Sequence, residues 1–415
     1  MKILILNDRI PPENRGGAGA VVWRLAQALK QRGHTVQVVA ATEKPSFGEI
    51  RDDIPTTHIH SQYRERFRAY LSLYNPRTIP ALKKIYHDFQ PDVINAHNIH
   101  TDLSYHSLTL ARNMNIPTVF SAHDVMPFAY HKASYFIDPA NHDLSPAVDY
   151  QLPPFFNLKQ MRLRYNPLRN IMIRRMLQQA SARTTPSQAL ADAFAANGLY
   201  DFQVAHNGID VSDFQVDNTT ITALRARLNL QGRRVILFAG RLTGAKGTGQ
   251  LLNALKQTVE TVPEATLLVL SSASIDSQVT DSTFANLREN HIISGGWLSG
   301  DDLKAAFHLA DVVVAPSIIF DTFPTVNLEA MATTTPVLAT CYGGSREVVI
   351  TGETGYIINP YHTDDFAEKL TRLLTDDTLR QQMGQAGYQH VMQHFSIESY
   401  IQNMLQIYEN TIKSH

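Results

Sequence analysis

Short apolar runs alternate along this chain with longer stretches in which apolar residues recur at helical spacing, and this alternation most constrains its fold. The runs lie at residues 2–6, 36–40, 92–96, 117–122, 235–240, 267–270, 311–316, 336–339 and 355–358. Their density of Val, Ile and Leu suits strands covered on both faces, as in parallel sheets. Strands that alternate with helices build βαβ units. In the first such unit Val21, Leu25 and Leu29 make one helical stripe. Lys30 and Arg32 stand where cations favour a helix C-terminus, and Gly33 suits a left-handed stop.

The 415 residues allow two or three such domains, at roughly 100–200 residues each. A stretch poor in periodicity at 205–220, containing Asn207-Gly208, places the boundary: one domain over 1–207, a second over 208–395, and a final helix over 396–415. That helix, with Ser396 as its expected N-cap, carries Ile397, Ile401, Met404, Leu405, Tyr408 and Ile412 on one face, which needs an apolar partner. With 37 Lys plus Arg against 38 Asp plus Glu, the chain lacks the basic excess of a nucleic-acid binder. Its one cysteine, Cys341, excludes a disulfide scaffold and suits a reducing cytoplasm. No apolar run approaches the roughly 18 residues of a membrane span, and the run at 3–6 is too short for a secretory leader. The expectation is a cytoplasmic protein, soluble or peripheral.

Doubly wound domains bind ligands outside the carboxyl ends of their strands, here expected to face one another across a cleft. The loop after the first strand contains Arg15-Gly16-Gly17-Ala18-Gly19 ahead of a helix expected at Val21, a pattern that lets a phosphate approach backbone amides. It is not the dinucleotide fingerprint, and it reads equally as an ordinary glycine turn. After 235–240 come Arg241 and Lys246 beside a helix N-terminus, two cations suited to a diphosphate. The loop is not a Walker A motif. After 311–316 comes a loop leading to Pro324 in a first helical turn, with Asp321 or Thr322 as its cap. Glu329 follows about one turn further in. Asp321 therefore reads either as a helix cap or, together with Glu329, as one of two carboxylates accepting hydrogen bonds from vicinal hydroxyls. His123-Asp124 stands at the carboxyl end of the 117–122 strand, a position open to a ligand or to a structural histidine.

No Asp-x-Asp pair follows a strand, and His97 and His100 lack an accompanying ligand set, so no bound metal is expected. Residues 150–191 hold no acidic side chain but carry Lys159, Arg162, Arg164, Arg169, Arg174, Arg175 and Arg183 among Phe155, Phe156, Tyr165, Ile171, Met172 and Ile173. Such a segment is either a packed helix with an arginine-rich solvent face, or a surface for an anionic membrane or acceptor.

In order along the chain, residues 15–19, Ser121-Ala122-His123-Asp124, His206-Asn207-Gly208-Ile209-Asp210, Gly240-Arg241 with Lys246-Gly247, residues 320–332 and Gly343-Gly344-Ser345-Arg346-Glu347 resemble the retaining GT-B glycosyltransferases of family 4. The resemblance implies two Rossmann-like domains, the first for the acceptor and the second for the nucleotide sugar, with the final helix crossing back to the first. It implies Arg241 and Lys246 on the donor diphosphate, Glu329 on the ribose hydroxyls and Asp321 on the transferred sugar. His123 would meet the sugar near the reacting centre. Backbone at Gly16, Gly17, Phe323, Thr325 and Val326 would contact sugar and phosphate, and backbone at Trp297 and Leu298 the base. Two positions depart from the family pattern: Asp321 stands where the family has Glu, and Pro324 where a Gly often follows the Phe. The implied reaction is metal- and cofactor-independent transfer of a hexose, from UDP-glucose or a close relative, to a glycan or lipid-linked acceptor of cell-surface polysaccharide or glycolipid synthesis. The rival readings are a UDP-sugar epimerase of the same fold and a non-catalytic nucleotide-sugar-binding subunit.

Overall fold

A computed structural model describes the chain except for residues 14–16, 131–134, 241–242 and 273–280. It divides into two compact units, one of residues 1–132, 150–208 and 397–415 and one of residues 133–149 and 209–396.

Unit 1 is built on eight strands: β1 (Lys2–Leu6), β2 (Thr35–Thr42), β3 (Phe47–Arg51), β4 (Ile54–His60), β5 (Val93–Ala96), β6 (Thr118–Ser121), β7 (Ala182–Thr185) and β8 (Gln203–Val204). Their order is β3-β4-β2-β1-β5-β6-β7-β8. Every pairing is parallel except β3 with β4, a hairpin turned at Asp52 and Asp53, both in the left-handed region at φ 49° and 57°. The final helix, Ile397–Lys413, belongs to this unit. Ile397, Tyr400, Ile401, Met404, Ile407 and Tyr408 are buried in one cluster with Ile3, Val22 and Val119. Its Tyr408 hydroxyl donates to Asn95 Oδ1 at 2.6 Å, inside the sheet.

Unit 2 holds β9 (Arg234–Ala239), β10 (Ala265–Leu270), β11 (Ile292–Ser294), β12 (Val312–Ala315), β13 (Val337–Thr340) and β14 (Gly355–Ile358), all paired in parallel in the order β11-β10-β9-β12-β13-β14. Apolar clusters cover both faces, with Val235 and Leu237 on one and Ile236 and Phe238 on the other. This is why the strand reads as an unbroken apolar run rather than an alternating one.

Residues 135–149 belong to unit 2 although the chain on either side belongs to unit 1, and nothing in their composition marks the excursion. Asn359 Nδ2 donates to the carbonyls of Asn141 (2.8 Å) and Asp143 (2.9 Å). Arg346 donates to Ser145 Oγ at 2.5 Å, and Phe136 meets Phe320 edge-on.

Candidate functional site

In unit 2 the chain winds from β9 through β10 to β11 on one side, then restarts at β12 on the other side of β9. The connections that leave β9 and β12 therefore turn toward opposite faces of the sheet while their loops meet at the carboxyl edge, where Ile318 N–H donates to the Ala245 carbonyl at 3.1 Å; this is the switch point where doubly wound sheets bind ligands. Lys246 lies on the first of these loops and Asp321 on the second, and their side chains form an ion pair. Ser317 Oγ donates to the same Asp321 carboxylate at 3.1 Å. Both charged side chains remain partly accessible, so a ligand can reach them.

Two glycines make this approach possible. Gly247, at φ +76°, closes the turn Gly244–Lys246, and a Cβ there would lie 1.8 Å from the Pro316 carbonyl oxygen on the other loop. Gly343, at φ +78°, lies under Asp321, and a Cβ there would lie 2.0 Å from the Asp321 carbonyl oxygen. Gly344 N–H donates to that same carbonyl at 2.9 Å. The segments at 244–247 and 343–347 thus set the backbone that presents Lys246 and Asp321.

The helix expected around Pro324 runs Thr325–Ala332. Pro324 occupies the cap position and not the first turn, and no side chain caps the helix. This corrects the capping reading of Asp321 and Thr322: the Asp321 carboxylate is held by Lys246 and Ser317. The helix N-terminus contributes Thr325 and Val326, whose N–H groups have no intrahelical acceptor. Glu329 follows one turn later, partly exposed. Phe323 is buried, its ring 6.1 Å from that of Phe395, and fixes the loop from below. Beyond β11, Trp297 is 44% exposed while Leu298 packs on the unit 2 core. Arg241 lies outside the described residues.

In unit 1 the switch point falls between β1 and β5. The helix expected from Val21 starts earlier, at Gly17, because Gly17-Ala18-Gly19-Ala20 forms its first turn. Gly17 is exposed there, and Gly16 lies outside the described residues. The loops after β1 and β5 are tied together by Asp8, whose carboxylate accepts N–H bonds from Thr101 (2.7 Å), Asp102 (2.9 Å) and Leu103 (2.8 Å). Burial, and next the nearby Asp102 carboxylate, push Asp8 up to about 6.

His123 follows β6 and is half-buried. Its Nε2 lies 2.8 Å from Nδ1 of His97, which follows β5 and is fully buried. Burial lowers His97 well below the ordinary histidine value and brings His123 down to about 4, so both rings are neutral. The sequence pointed to His123 but not to His97, whose partner lies 26 residues away and is brought to it by adjacent strands.

The basic segment is not one helix. It is broken into Phe156–Met161, a short turn Arg162–Arg164 and Arg169–Leu177. Lys159, Arg162, Arg164, Arg174 and Arg175 face solvent, but Arg169 is wholly buried. It donates to the Met126 carbonyl at 3.0 Å and to Ser72 Oγ at 3.4 Å, and lies over the Tyr130 ring. Arg169 therefore belongs to the core and not to a basic face. Among the described residues no group of three His, Cys, Asp or Glu side chains is placed to hold a metal ion, and no helix is long and apolar enough to cross a membrane.

Two family models match this chain: "Glycosyl transferases group 1" over residues 220–390 and "Glycosyltransferase Family 4" over residues 15–213. The chain spans about half the length of the first curated relatives it matches. A match over 98% of this chain and 94% of the relative is with glycogen synthase of Mycobacterium tuberculosis, at 24% identity. Among solved structures it is similar to sucrose-phosphate synthase of Thermosynechococcus elongatus, with a TM-score of 0.74, 19% identity and full coverage of both chains. It is also similar to HepE of Anabaena in complex with UDP-glucose, with a TM-score of 0.70, 20% identity and coverage of 99% of this chain and 100% of that one.

Proposed function

Since this chain belongs to the family 4 glycosyltransferases and has their GT-B fold, we propose that it moves a hexose from a UDP-sugar, UDP-glucose or a close relative, to a glycan or lipid-linked acceptor with retention of configuration. The observation that carries this reading is the Lys246–Asp321 pair at the unit 2 switch point, with Glu329 one turn behind the helix N-terminus that follows. A diphosphate there meets the Lys246 ammonium and, from the family resemblance, Arg241. As the phosphate takes over Lys246, the Asp321 carboxylate is released to accept from a sugar hydroxyl. Glu329 then takes the ribose hydroxyls. The similarity to a structure holding UDP-glucose supports a uridine donor.

Retention follows if the acceptor hydroxyl attacks C1 on the face the diphosphate leaves. The C1–O bond to phosphate breaks as the new C1–O bond forms, and the hydroxyl proton passes to a departing phosphate oxygen. The charge that grows on the leaving group is met by Lys246 and Arg241, the main catalytic contribution in this scheme, without a metal. His123 is assigned to the transferred sugar.

Unit 1 offers a surface for an anionic lipid. Phe155, Leu168 and Ile171 are exposed beside Lys159, Arg162, Arg164, Arg174 and Arg175. A second exposed set, Phe67, Tyr70 and Tyr74 with Arg64 and Arg66, joins it through a small core of Ala69, Tyr130 and Tyr165. Apolar rings among cations suit peripheral attachment at a bilayer surface facing the cytoplasm.

The test is a panel of UDP-, GDP- and ADP-glucose offered with glycan and lipid-linked acceptors, in chelator, with the product anomer read by proton NMR. An α-linked product from a UDP-sugar, unaffected by chelator, is expected. A β-linked product, or epimerised donor without transfer, overturns the reading.

A further inference from the structure

His97 and His123 lie nearly parallel, 16° between ring planes, with His97 Nδ1 and His123 Nε2 in hydrogen-bond contact at 2.8 Å. A neutral imidazole carries one proton, so only one of these facing nitrogens is the donor. The other nitrogen of His97 decides which. His97 Nε2 is buried and has no hydrogen-bond partner among the described residues. If His123 donated, the His97 proton would sit on that Nε2 as a buried N–H with no acceptor. Buried N–H donors are almost never left unpaired, whereas a bare lone pair is tolerated more readily. The His97 proton therefore sits on Nδ1 and points at His123.

From this geometry we propose that His97 is a positioning residue: it holds the His123 ring in place and fixes it as the tautomer protonated on Nδ1, so that His123 serves as a hydrogen-bond donor toward an oxygen of the transferred sugar. The inference rests on the reading of His123 as the group that meets that sugar. Burial outweighs the Asp124 carboxylate, which by itself favours a charged His123 ring; the Asp124 Oδ1 accepts from Met126 N at 2.9 Å and its Oδ2 lies 3.7 Å from His100 Nε2. Mutual arrangement of the two rings is enforced by the sheet, since β5 and β6 are adjacent and His97 N–H is itself bound to the Leu6 carbonyl at 2.8 Å.

The experiment has two arms on the full-length protein. In the first, histidine labelled with 15N is observed by long-range 15N–1H correlation, with His123→Asn used to assign the ring. A protonated Nδ1 and a bare Nε2 on His123 are expected. The second arm measures turnover of UDP-glucose, together with melting temperature, in His97→Asn and His97→Leu. Asn keeps a side-chain N–H near the place of Nδ1 and should hold kcat within a few-fold of the parent. Leu removes it and should lower kcat roughly 10- to 100-fold, the effect of losing the partner that orients a functional histidine. That split between two variants of similar melting temperature is not what a packing role gives. An Nε2-protonated His123, or equal kcat in His97→Leu and the parent, overturns the proposal. Full turnover in His123→Ala, with the expected tautomer present, overturns instead the reading of His123 on which it rests.

Discussion

The Lys246 ammonium and the Asp321 carboxylate are ion-paired across the two loops that meet at the switch point of unit 2, with Ser317 Oγ on the same carboxylate. The pair links the two groups assigned to the donor's phosphate and to its sugar. It also separates Asp321 from the helix cap it was free to be.

Asp321→Asn should therefore cost little stability, about 0–1 kcal/mol, because a partly exposed ion pair contributes little and no cap is lost. UDP should bind as well as to the parent or better, since Lys246 loses its competitor. Turnover of the UDP-sugar should fall at least tenfold. Urea unfolding, UDP titration and initial rates on one preparation check this, and an unchanged rate at saturating and subsaturating donor would remove Asp321 from the sugar.

Gly247→Ala should weaken the protein by more than about 1 kcal/mol, because a Cβ fits neither the left-handed backbone nor the space beside Pro316. Lys246 moves with it, so UDP affinity should drop in the same variant. A urea midpoint and UDP affinity both equal to the parent's would mean that the two loops adjust freely.

The histidine pair gives stability a pH signature. The folded values of His97 and His123 are lowered, so the unfolded chain binds their protons first. The His123 contribution is whole above about 6.5 and is lost as pH falls toward about 4, at about 1.4 kcal/mol per unit, and that of His97 is lost in the same direction. Asp8 works in the opposite sense: raised to about 6, it contributes below the ordinary carboxylate value, and this is lost as pH rises through about 6. His123→Asn should thus flatten the fall in stability between about pH 6.5 and pH 4.5 relative to the parent. Parallel curves from urea midpoints across that range would contradict the burial of a neutral His123.

Much of the architecture was legible because β1, β9, β12, β13 and β14 are covered on both faces and so read as unbroken apolar runs. The β3–β4 hairpin was not legible: β3 is almost wholly exposed, and β4 buries the polar Thr56 and His58 beside Ile54 and Ile59. Lys246, Asp321 and Glu329 stood out because each follows a strand or opens a helix. Ser317 and His97 did not, since their meaning lies in contacts between segments that no local spacing encodes. Arg169 shows the same limit from the other side. Its neighbours in sequence are surface cations, and only the Tyr130 ring and the Met126 carbonyl make it a core residue.

Replacing Arg162, Arg164, Arg174 and Arg175 by Gln tests the lipid surface without touching the donor groups. The parent should sediment with anionic vesicles and be released by salt, because this attraction is screened within about 10 Å at 0.1 M. The variant should stay in solution with UDP affinity unchanged. Sedimentation of the variant equal to the parent's would return the segment to an ordinary solvent face.

The proposed function requires the donor diphosphate to sit on Lys246 at the switch point of unit 2. Calorimetric titration of UDP into the parent and Lys246→Ala tests it without needing the acceptor. A charged hydrogen bond is worth about 1.5–3 kcal/mol, so the variant should bind UDP roughly 10- to 150-fold more weakly at an unchanged melting temperature. Equal affinity in the two proteins would place the diphosphate elsewhere.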